Sequence, residues 1–279
     1  MKKLAVDIGG TWLRWRVPGS EEEGGRVAME GLELLPFLET LLEREGAEAV
    51  GISFAGQVAG GRVLAAPNIS LPSMDLAGYL HERTGAAVAV ENDLNCAALA
   101  EADDWGVGDL VALYSGTGLG AGFVVGGALI RGEGGMAGEL GHIPFREAPF
   151  ACGCGKRNCV ELYASGSGLA KWRAARHCRE ETLAALREAQ DPACREIHDR
   201  YIEGLLTAAG TAVTLCNPRL LVLGGGVIQA NPWLLEVLRK GIATYALPVA
   251  CRELRIEASR LANASLRGAE LLAERFEAG

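Results

Sequence analysis

The chain has 279 residues, 49% of them hydrophobic and 22% charged, which is the balance of a folded protein rather than of a disordered one. Its 27 Lys and Arg residues against 35 Asp and Glu residues give a net charge of −8, which argues against a nucleic-acid partner because such proteins present clustered cations. No apolar run approaches the roughly 18 residues of a membrane helix and no signal-peptide pattern is present, so we expect a cytoplasmic protein with a small-molecule partner.

Strand and helix patterns alternate along the chain, which indicates an α/β fold. Apolar residues 4–8 lead into Gly9-Gly10-Thr11 and residues 13–17 then alternate, which predicts a hairpin around a glycine turn. The further predicted elements are helix 36–45, strand 48–54, helix 75–84, strand 87–91, helix 93–104, strands 110–114, 121–125 and 128–130, helix 192–216, strand 220–223, helix 232–242 and helix 265–277.

A strand, glycine turn and second strand occur twice in the sequence, which indicates two related halves. The second turn, Gly116-Thr117-Gly118, follows the first by about a hundred residues. We therefore predict two domains, residues 1–114 with 264–279 and residues 115–263. The last helix is expected to return to the first domain.

The glycine turns are candidate phosphate-binding sites. Backbone amides of Gly9 and Gly10 can approach a polyphosphate because no Cβ blocks them, Thr11 can donate a further hydrogen bond, and Asp7 can hold a hydrated Mg²⁺. The alternative is that these are only tight hairpin turns. Two equivalent turns and a third after a later strand favour phosphate binding: Gly116, Thr117, Gly118 and Gly224, Gly225, Gly226. No P-loop sequence is present.

Four residues between positions 142 and 161 have the pattern of a zinc site. His142, Cys152, Cys154 and Cys159 offer one imidazole and three thiolates, the ligand set of a closed structural Zn²⁺ site with no open position for substrate. The alternative is a glycine-rich loop with reduced thiols and no metal. The other cysteines, Cys96, Cys178, Cys194, Cys216 and Cys251, are predicted to be small buried residues.

Glu91-Asn92-Asp93 places acidic and amide side chains between a predicted strand and a predicted helix. Phosphoryl transfer to a hydroxyl needs a carboxylate that orients the hydroxyl and accepts its proton, and Asp93 is the candidate. Asp93 could instead serve only as a helix N-cap. Asn92, Glu139 and Glu161 are candidate ligands of sugar hydroxyls, although lone glutamates are more often surface charges.

Together these motifs resemble the ROK family, which includes bacterial sugar kinases and sugar-responsive transcription repressors. The motifs that carry the resemblance span nearly the whole chain: Asp7 to Thr11, Glu91 to Asp93, Gly116 to Gly120, Gly138 to His142, the three cysteines with Glu161, and Gly224 to Gly226. The resemblance implies two actin-like (ribonuclease H-like) domains with ATP and sugar in an interdomain cleft, and a homodimer.

The same resemblance implies roles for single residues. Asp93 would be the catalytic base, and the sugar site would consist of Gly56, Asn68, Asn92, Asp93, Glu139, His142 and Glu161. His142 would give one ring nitrogen to Zn²⁺ and the other to a sugar hydroxyl, so that removing the metal should cost sugar affinity first and ATP affinity much less. Two residues depart from the family pattern. Trp12 replaces a polar residue. Asn158 replaces a glycine, and we expect it to preserve the zinc turn because Asn tolerates a left-handed backbone.

The leading hypothesis is therefore an ATP-dependent kinase for the 6-hydroxyl of glucose or a similar aldohexose, with Mg²⁺ and structural Zn²⁺. N-acetylglucosamine, N-acetylmannosamine and fructose remain alternative substrates, since pockets for them differ by only about 1–3 kcal/mol of contacts. Polyphosphate remains an alternative donor. A sugar-sensing repressor is disfavoured because Asp7 lies close to the start of the chain, leaving no room for a DNA-binding domain.

Overall fold

The structure, a computed structural model, describes residues 1–20, 24–66 and 69–276. Its strands are β1 (Lys3–Ile8), β2 (Trp12–Arg16), β3 (Gly24–Ala28), β4 (Ala49–Phe54), β5 (Gln57–Ala59), β6 (Arg62–Ala65), β7 (Met74–Asp75), β8 (Ala87–Asn92), β9 (Leu110–Ser115), β10 (Leu119–Val125), β11 (Ala128–Leu129), β12 (Leu220–Gly224) and β13 (Arg255–Ala258). Its helices are α1 (Leu34–Glu45), α2 (Leu76–Thr84), α3 (Asp93–Trp105), α4 (Glu161–Ala164), α5 (Gly166–Ala175), α6 (Leu183–Glu188), α7 (Pro192–Cys216), α8 (Gly226–Ala230), α9 (Leu234–Tyr245) and α10 (Ala264–Glu274).

The chain divides into two compact units. Unit 1 comprises Met1–Asp104, Leu129–Ala137 and Leu261–Gly279, and unit 2 comprises Trp105–Ala128 and Gly138–Arg260. None of the described helices combines the length and apolar character that crossing a bilayer requires. The domain division predicted from the sequence, residues 1–114 with 264–279 and residues 115–263, stays a prediction.

Two five-stranded sheets share one topology, which confirms the predicted repeat. The first has the order β3-β2-β1-β4-β8, and the second has the order β11-β10-β9-β12-β13. In each, a hairpin (β1 with β2, β9 with β10) is followed by two parallel strands. This arrangement, with helices connecting the parallel strands, is the α/β fold that the alternating pattern indicated.

The register of the first sheet collects polar side chains at one edge of unit 1. Asp7 lies beside Ser53 of β4, and Ser53 lies beside Glu91 of β8. Because β1, β4 and β8 are parallel, their carboxyl ends meet at the same edge. The glycine turn after β1 and the start of α3 after β8 therefore both leave from this edge.

Helix α10 packs against β1 and β4 of unit 1, as predicted for the last helix. Gly51 of β4 permits this contact, since a Cβ there would lie only 2.0 Å from the backbone oxygen of Ala269. The core of unit 1 consists of aliphatic residues from β1, β4, α1 and α2, and a separate core fills unit 2 around α4, α7 and α9.

The prediction that the five other cysteines are simply small buried residues holds for Cys96 but is wrong for the rest. Cys216 and Cys251 are only partly buried. Cys178 and Cys194 are buried as expected, but they form a disulfide with their Cα atoms 5.6 Å apart. The two cysteines are separated by 16 positions that include α6. Cys178 follows the end of α5, and Cys194 lies in the first turn of α7. Sequence spacing alone could not reveal this pairing, because it depends on where α6 turns.

Candidate functional site

The first glycine turn lies between β1 and β2 and carries a buried acid. Asp7 is 5% exposed, and its Oδ1 accepts a hydrogen bond from the Ser53 hydroxyl at 2.9 Å. Its Oδ2 lies 3.5 Å from Nη1 of Arg14, the residue opposite it on β2. The Gly9 amide donates to the Trp12 oxygen at 3.0 Å, which closes the turn. Ser53 and Arg14 thus hold the Asp7 carboxylate at the strand end, a role that the sequence patterns did not reveal.

Asn92 organises the start of helix α3. Its Oδ1 accepts from the amides of Leu94 at 2.9 Å and Asn95 at 3.1 Å, as an N-cap side chain does. Its Nδ2 donates to the Gly56 oxygen at 2.9 Å and to Oδ1 of Asp93 at 3.1 Å. The Leu94 amide also bonds Asp93 Oδ1, at 3.0 Å.

The structure therefore brings together three of the predicted sugar-site residues, Gly56, Asn92 and Asp93. The cap of α3 comes chiefly from Asn92, which leaves Asp93 as the first helical residue, with its carboxylate oriented by a neighbouring amide. Asn68, a fourth predicted sugar ligand, lies outside the described residues.

The second and third glycine turns adjoin each other in unit 2. A Cβ on Gly116 would lie 3.8 Å from the Gly226 amide nitrogen. The Gly116 oxygen accepts from the Gly166 amide at 2.8 Å, and the Thr117 oxygen accepts from Ser167 at 3.1 Å. The turn Gly116–Gly118 is thus packed on the start of α5, and Gly226 lies beside it.

The four predicted metal ligands cluster in unit 2. The ligand atoms of His142, Cys152, Cys154 and Cys159 all lie within 4.8 Å of one another. Nδ1 of His142 is 3.5 Å from Cys152 Sγ, and the Sγ atoms of Cys154 and Cys159 are 3.4 Å apart. Tetrahedral Zn²⁺ with bonds of 2.0–2.3 Å requires its ligand atoms to lie about 3.5–3.8 Å apart. The geometry and the ligand types therefore fit a bound Zn²⁺.

Burial raises the pKa of two of the three thiols in the cluster. It raises the pKa of Cys152 to about 12, and the Glu161 carboxylate acts in the same direction. Burial also raises the pKa of Cys159. For Cys154 the effect of burial is outweighed by hydrogen bonds, the largest from the Lys156 backbone, so its pKa is lowered. Since zinc binds thiolates, occupation of this cluster would release the protons that burial retains.

The remaining predicted sugar ligands of unit 2 surround this cluster. Nε2 of His142 lies 3.6 Å from Oε2 of Glu139, so its two ring nitrogens face different partners. Glu161 accepts from the Cys152 thiol at 3.4 Å through Oε1 and from the Leu119 amide at 3.1 Å through Oε2. Glu161 thereby joins the cluster to the end of the Gly116–Gly118 turn, a link that the sequence could not show because it uses a backbone amide.

The structure shows the surroundings of Trp12 and Asn158, the two residues that depart from the family pattern. Asn158 was expected to adopt a left-handed backbone, which is wrong: in the described part of the chain the non-glycine residues with positive φ are His177 and Asn217. The Asn158 oxygen instead accepts from the Phe145 amide at 2.7 Å, beside the bridge between Pro144 and Cys159. The Trp12 ring lies 4.9 Å from the Arg26 guanidinium, a cation–π contact across β2 and β3.

Comparison with known proteins decides the family. The sequence model of a protein family described as the ROK family matches residues 4–276. The chain belongs to the ROK family. A glucokinase of Streptomyces coelicolor is 34% identical, with 85% of this chain and 86% of that protein covered, and an N-acetyl-D-glucosamine kinase of Shigella flexneri is 31% identical, with 96% and 94% covered.

A solved structure agrees with the family assignment. The ROK family glucokinase from Streptomyces griseus, in complex with glucose and AMPPNP, is 30% identical and superposes with a TM-score of 0.78 over 99% of this chain and 100% of that one. The similarity extends through both units, including the segments that carry the glycine turns and the Cys/His cluster.

Proposed function

We propose that this ROK protein transfers the γ-phosphoryl group of ATP to the 6-hydroxyl of glucose or a similar aldohexose. Similar proteins are named as glucokinases and as an N-acetylglucosamine kinase, and one was solved with glucose and an ATP analogue. The observation that carries the proposal is the Asn92–Asp93 pair at the start of α3, where an amide side chain orients a carboxylate at the carboxyl edge of the sheet.

In this proposal Asp93 orients the sugar hydroxyl and accepts its proton as the hydroxyl oxygen attacks the γ-phosphorus. The proposed sugar ligands are Gly56, Asn68, Asn92, Glu139, His142 and Glu161. Amides of the three glycine turns hold the phosphates, together with Thr11 and Thr117. Mg²⁺, when bound near Asp7, supplies charge neutralisation on those phosphates. Zn²⁺ would be held by His142, Cys152, Cys154 and Cys159, where it would keep the loop folded.

Substitution of Asp93 tests the proposal directly. Asp93→Asn keeps the size of the side chain but removes the proton acceptor, so kcat should fall by roughly 10²–10⁴-fold, the usual contribution of a general base. Sugar binding should persist, since Asn92 and the backbone around it are unchanged. The measurements are ADP release in a coupled assay and sugar binding by calorimetry.

A matched control separates catalysis from helix capping. Asp75 caps α2 in the same unit by accepting from the Gly78 amide at 2.9 Å. Asp75→Asn should leave turnover near that of the unaltered enzyme. Near-normal turnover of Asp93→Asn would show that another group accepts the proton.

The same assay decides the substrate and the donor. Glucose, mannose, fructose, N-acetylglucosamine, N-acetylmannosamine and galactose should be compared with ATP and with polyphosphate. We expect the highest kcat/KM with glucose and ATP. A higher kcat/KM with N-acetylglucosamine would assign the chain to the activity that its Shigella relative is named for, and turnover with polyphosphate alone would change the donor.

We also propose that the protein is a homodimer. Three apolar side chains of unit 2 are largely exposed: Leu215 at 77%, Leu247 at 55% and Val249 at 57%. The Leu247 amide donates to Thr214 Oγ1 at 3.1 Å, which brings the end of α7, where Leu215 lies, beside the segment that carries Leu247 and Val249. Adjacent exposed apolar residues favour a contact with another protein surface.

A further inference from the structure

A buried carboxylate lies two residues before the proposed catalytic base. The Glu91 side chain is 7% exposed, and its Oε1 accepts from the Asn92 amide at 3.0 Å and from Asn95 Nδ2 at 2.9 Å. Strand β8 ends at Asn92 and helix α3 begins at Asp93. The two bonds therefore join the end of the strand to the first turn of the helix, and Asp93 lies between the two anchored residues.

Arg131 neutralises this carboxylate. Its Nε donates to Glu91 Oε2 at 2.5 Å, and its side chain is 42% exposed. A buried carboxylate that loses its cation must move, become hydrated or take up a proton, each of which alters its hydrogen bonds. A cavity of about 470 Å³, lined also by Glu133 and Arg275, adjoins the pair and gives Glu91 space to move.

The segment that carries Arg131 is fixed on unit 1. The Arg131 oxygen accepts from the Ala137 amide at 2.9 Å, which closes the segment on itself. Gly135 has φ +76° and approaches β5 so closely that a Cβ there would lie 2.4 Å from the Val58 oxygen. The Arg131 backbone is thus held beside Glu91. The guanidinium can therefore keep the Glu91 carboxylate in one position, which a mobile surface side chain could not do.

We propose that Arg131 is a positioning residue for phosphoryl transfer, acting through Glu91 on Asn92 and Asp93. The inference rests on the proposed function and adds to it a residue that does not touch the substrate. Glu91 transmits the effect, because Oε2 binds Arg131 and Oε1 accepts from Asn92, which precedes Asp93, and from Asn95 in the same first helical turn. A purely structural ion pair would stabilise unit 1 but would leave the turnover of the folded enzyme unchanged.

The test compares Arg131→Met, Glu91→Gln and the double variant. Each single variant should lower kcat by roughly 10–100-fold, since a displacement of about 1 Å in a catalytic group costs that much. The double variant should be no slower than the slower single variant, because both changes interrupt one path. Arg131→Lys should restore part of the rate, as it returns the charge without the guanidinium geometry.

The matched control is Arg16→Met. Arg16 is 44% exposed and lies 3.3 Å from Glu270, a carboxylate that is 6% exposed in the same unit, so the pair resembles Arg131–Glu91 in exposure but is attached to α10. Glu270 also forms an ion pair with Arg267, at 2.9 Å, which the substitution of Arg16 leaves in place. Arg16→Met should therefore leave kcat within about 2-fold of the unaltered enzyme.

Amide hydrogen exchange tests the inference without measuring kinase activity. The amides of Leu94 and Asn95, which Asn92 caps, should exchange at least several-fold faster in Arg131→Met than in the unaltered protein and in Arg16→Met. If the unaltered protein phosphorylates no sugar, the proposed function fails while this measurement still tests Arg131. Unchanged exchange at those amides, or a double variant slowed by the product of the single effects, would overturn the inference. Should Arg131→Met not fold, Arg131→Lys and Glu91→Gln provide the same comparison.

Discussion

At the scale of single residues, Glu161 has two partners that serve different parts of the proposed site. Its carboxylate binds the Cys152 thiol and the Leu119 amide. Glu161→Gln keeps one acceptor oxygen but removes the charge, and a hydrogen bond to a charged group is worth about 1.5–3 kcal/mol. We expect the KM for sugar to rise by roughly 10–100-fold and the KM for ATP to rise by a smaller factor, because Leu119 ends the Gly116–Gly118 turn. Steady-state kinetics with each substrate varied in turn provides the measurement.

A second glutamate near the cluster serves as the control. Glu147 is 73% exposed, and its described ion pair is with Arg157 at 3.9 Å. Glu147→Gln should change neither KM, because solvent screens an exposed pair. If Glu161→Gln raised only the KM for ATP, Glu161 would belong to the phosphate site rather than to the sugar site.

At this scale the sequence was better at selecting residues of the proposed site than at identifying the side chains that contact them. Asp93, Asn92 and the four cluster residues could be selected because phosphoryl transfer and zinc binding need those side chains. Ser53 and Arg131 could not be selected, because the carboxylates they contact lie 46 and 40 residues away along the chain. Arg14 is close to Asp7 in sequence, but it contacts Asp7 only through the register of the β1–β2 hairpin. Asn158 was misjudged for a related reason, since its backbone is set by pairing with Phe145 rather than by local preference.

At the scale of elements, the sequence located the helices with clear end signals. Helix α7 begins and ends where it was predicted, with Asp191 capping the Ala193 amide, Pro192 in the first turn and Asn217 in the left-handed conformation after it. Strand β3 and the small sheet β5-β6-β7 were missed because they are short and rich in glycine or charge. Their pairing is decided by neighbouring strands, which a local pattern does not contain.

The segment that carries the Cys/His cluster is the element whose stability we expect to depend on metal. Cys154 is the exposed ligand of the four, so Cys154→Ser removes a thiolate without leaving a cavity in the core. We expect zinc content to fall well below the one ion per chain that elemental analysis should find in the unaltered protein, and sugar affinity to fall with it. ATP affinity should fall less, through Glu161 and Leu119.

Cys216→Ser is the control for this prediction, since Cys216 is a partly buried thiol of α7 outside the cluster. It should retain both zinc and sugar affinity. Full zinc content in Cys154→Ser would mean that the other three ligands suffice. Loss of zinc with an unchanged sugar KM would restrict the metal to holding the loop together.

At the scale of the whole molecule, the repeat of the glycine turn predicted two related halves, and the two sheets have the same strand order. This is the largest feature recoverable from sequence alone. The Cys178–Cys194 disulfide was not recoverable, because it depends on the path of α6 between them. The exposure of the apolar residues Leu215, Leu247 and Val249 could not be predicted either, since an apolar residue in a helix or loop is expected to be buried until the packing is known.

Those three residues lead to a prediction about assembly. Light scattering after size exclusion should give twice the chain mass of 29.3 kDa. Placing charges in the apolar contact, with Leu215→Asp and Val249→Asp together, should give the mass of one chain, because two buried unpaired carboxylates cost more than a standard interface gains from these side chains. Leu64→Asp, at a residue of β6 that is 39% exposed in unit 1, should leave the mass doubled. A dimer that survives the paired substitution would place the interface on another surface of the chain, and a monomeric unaltered protein would remove the dimer from the proposed function.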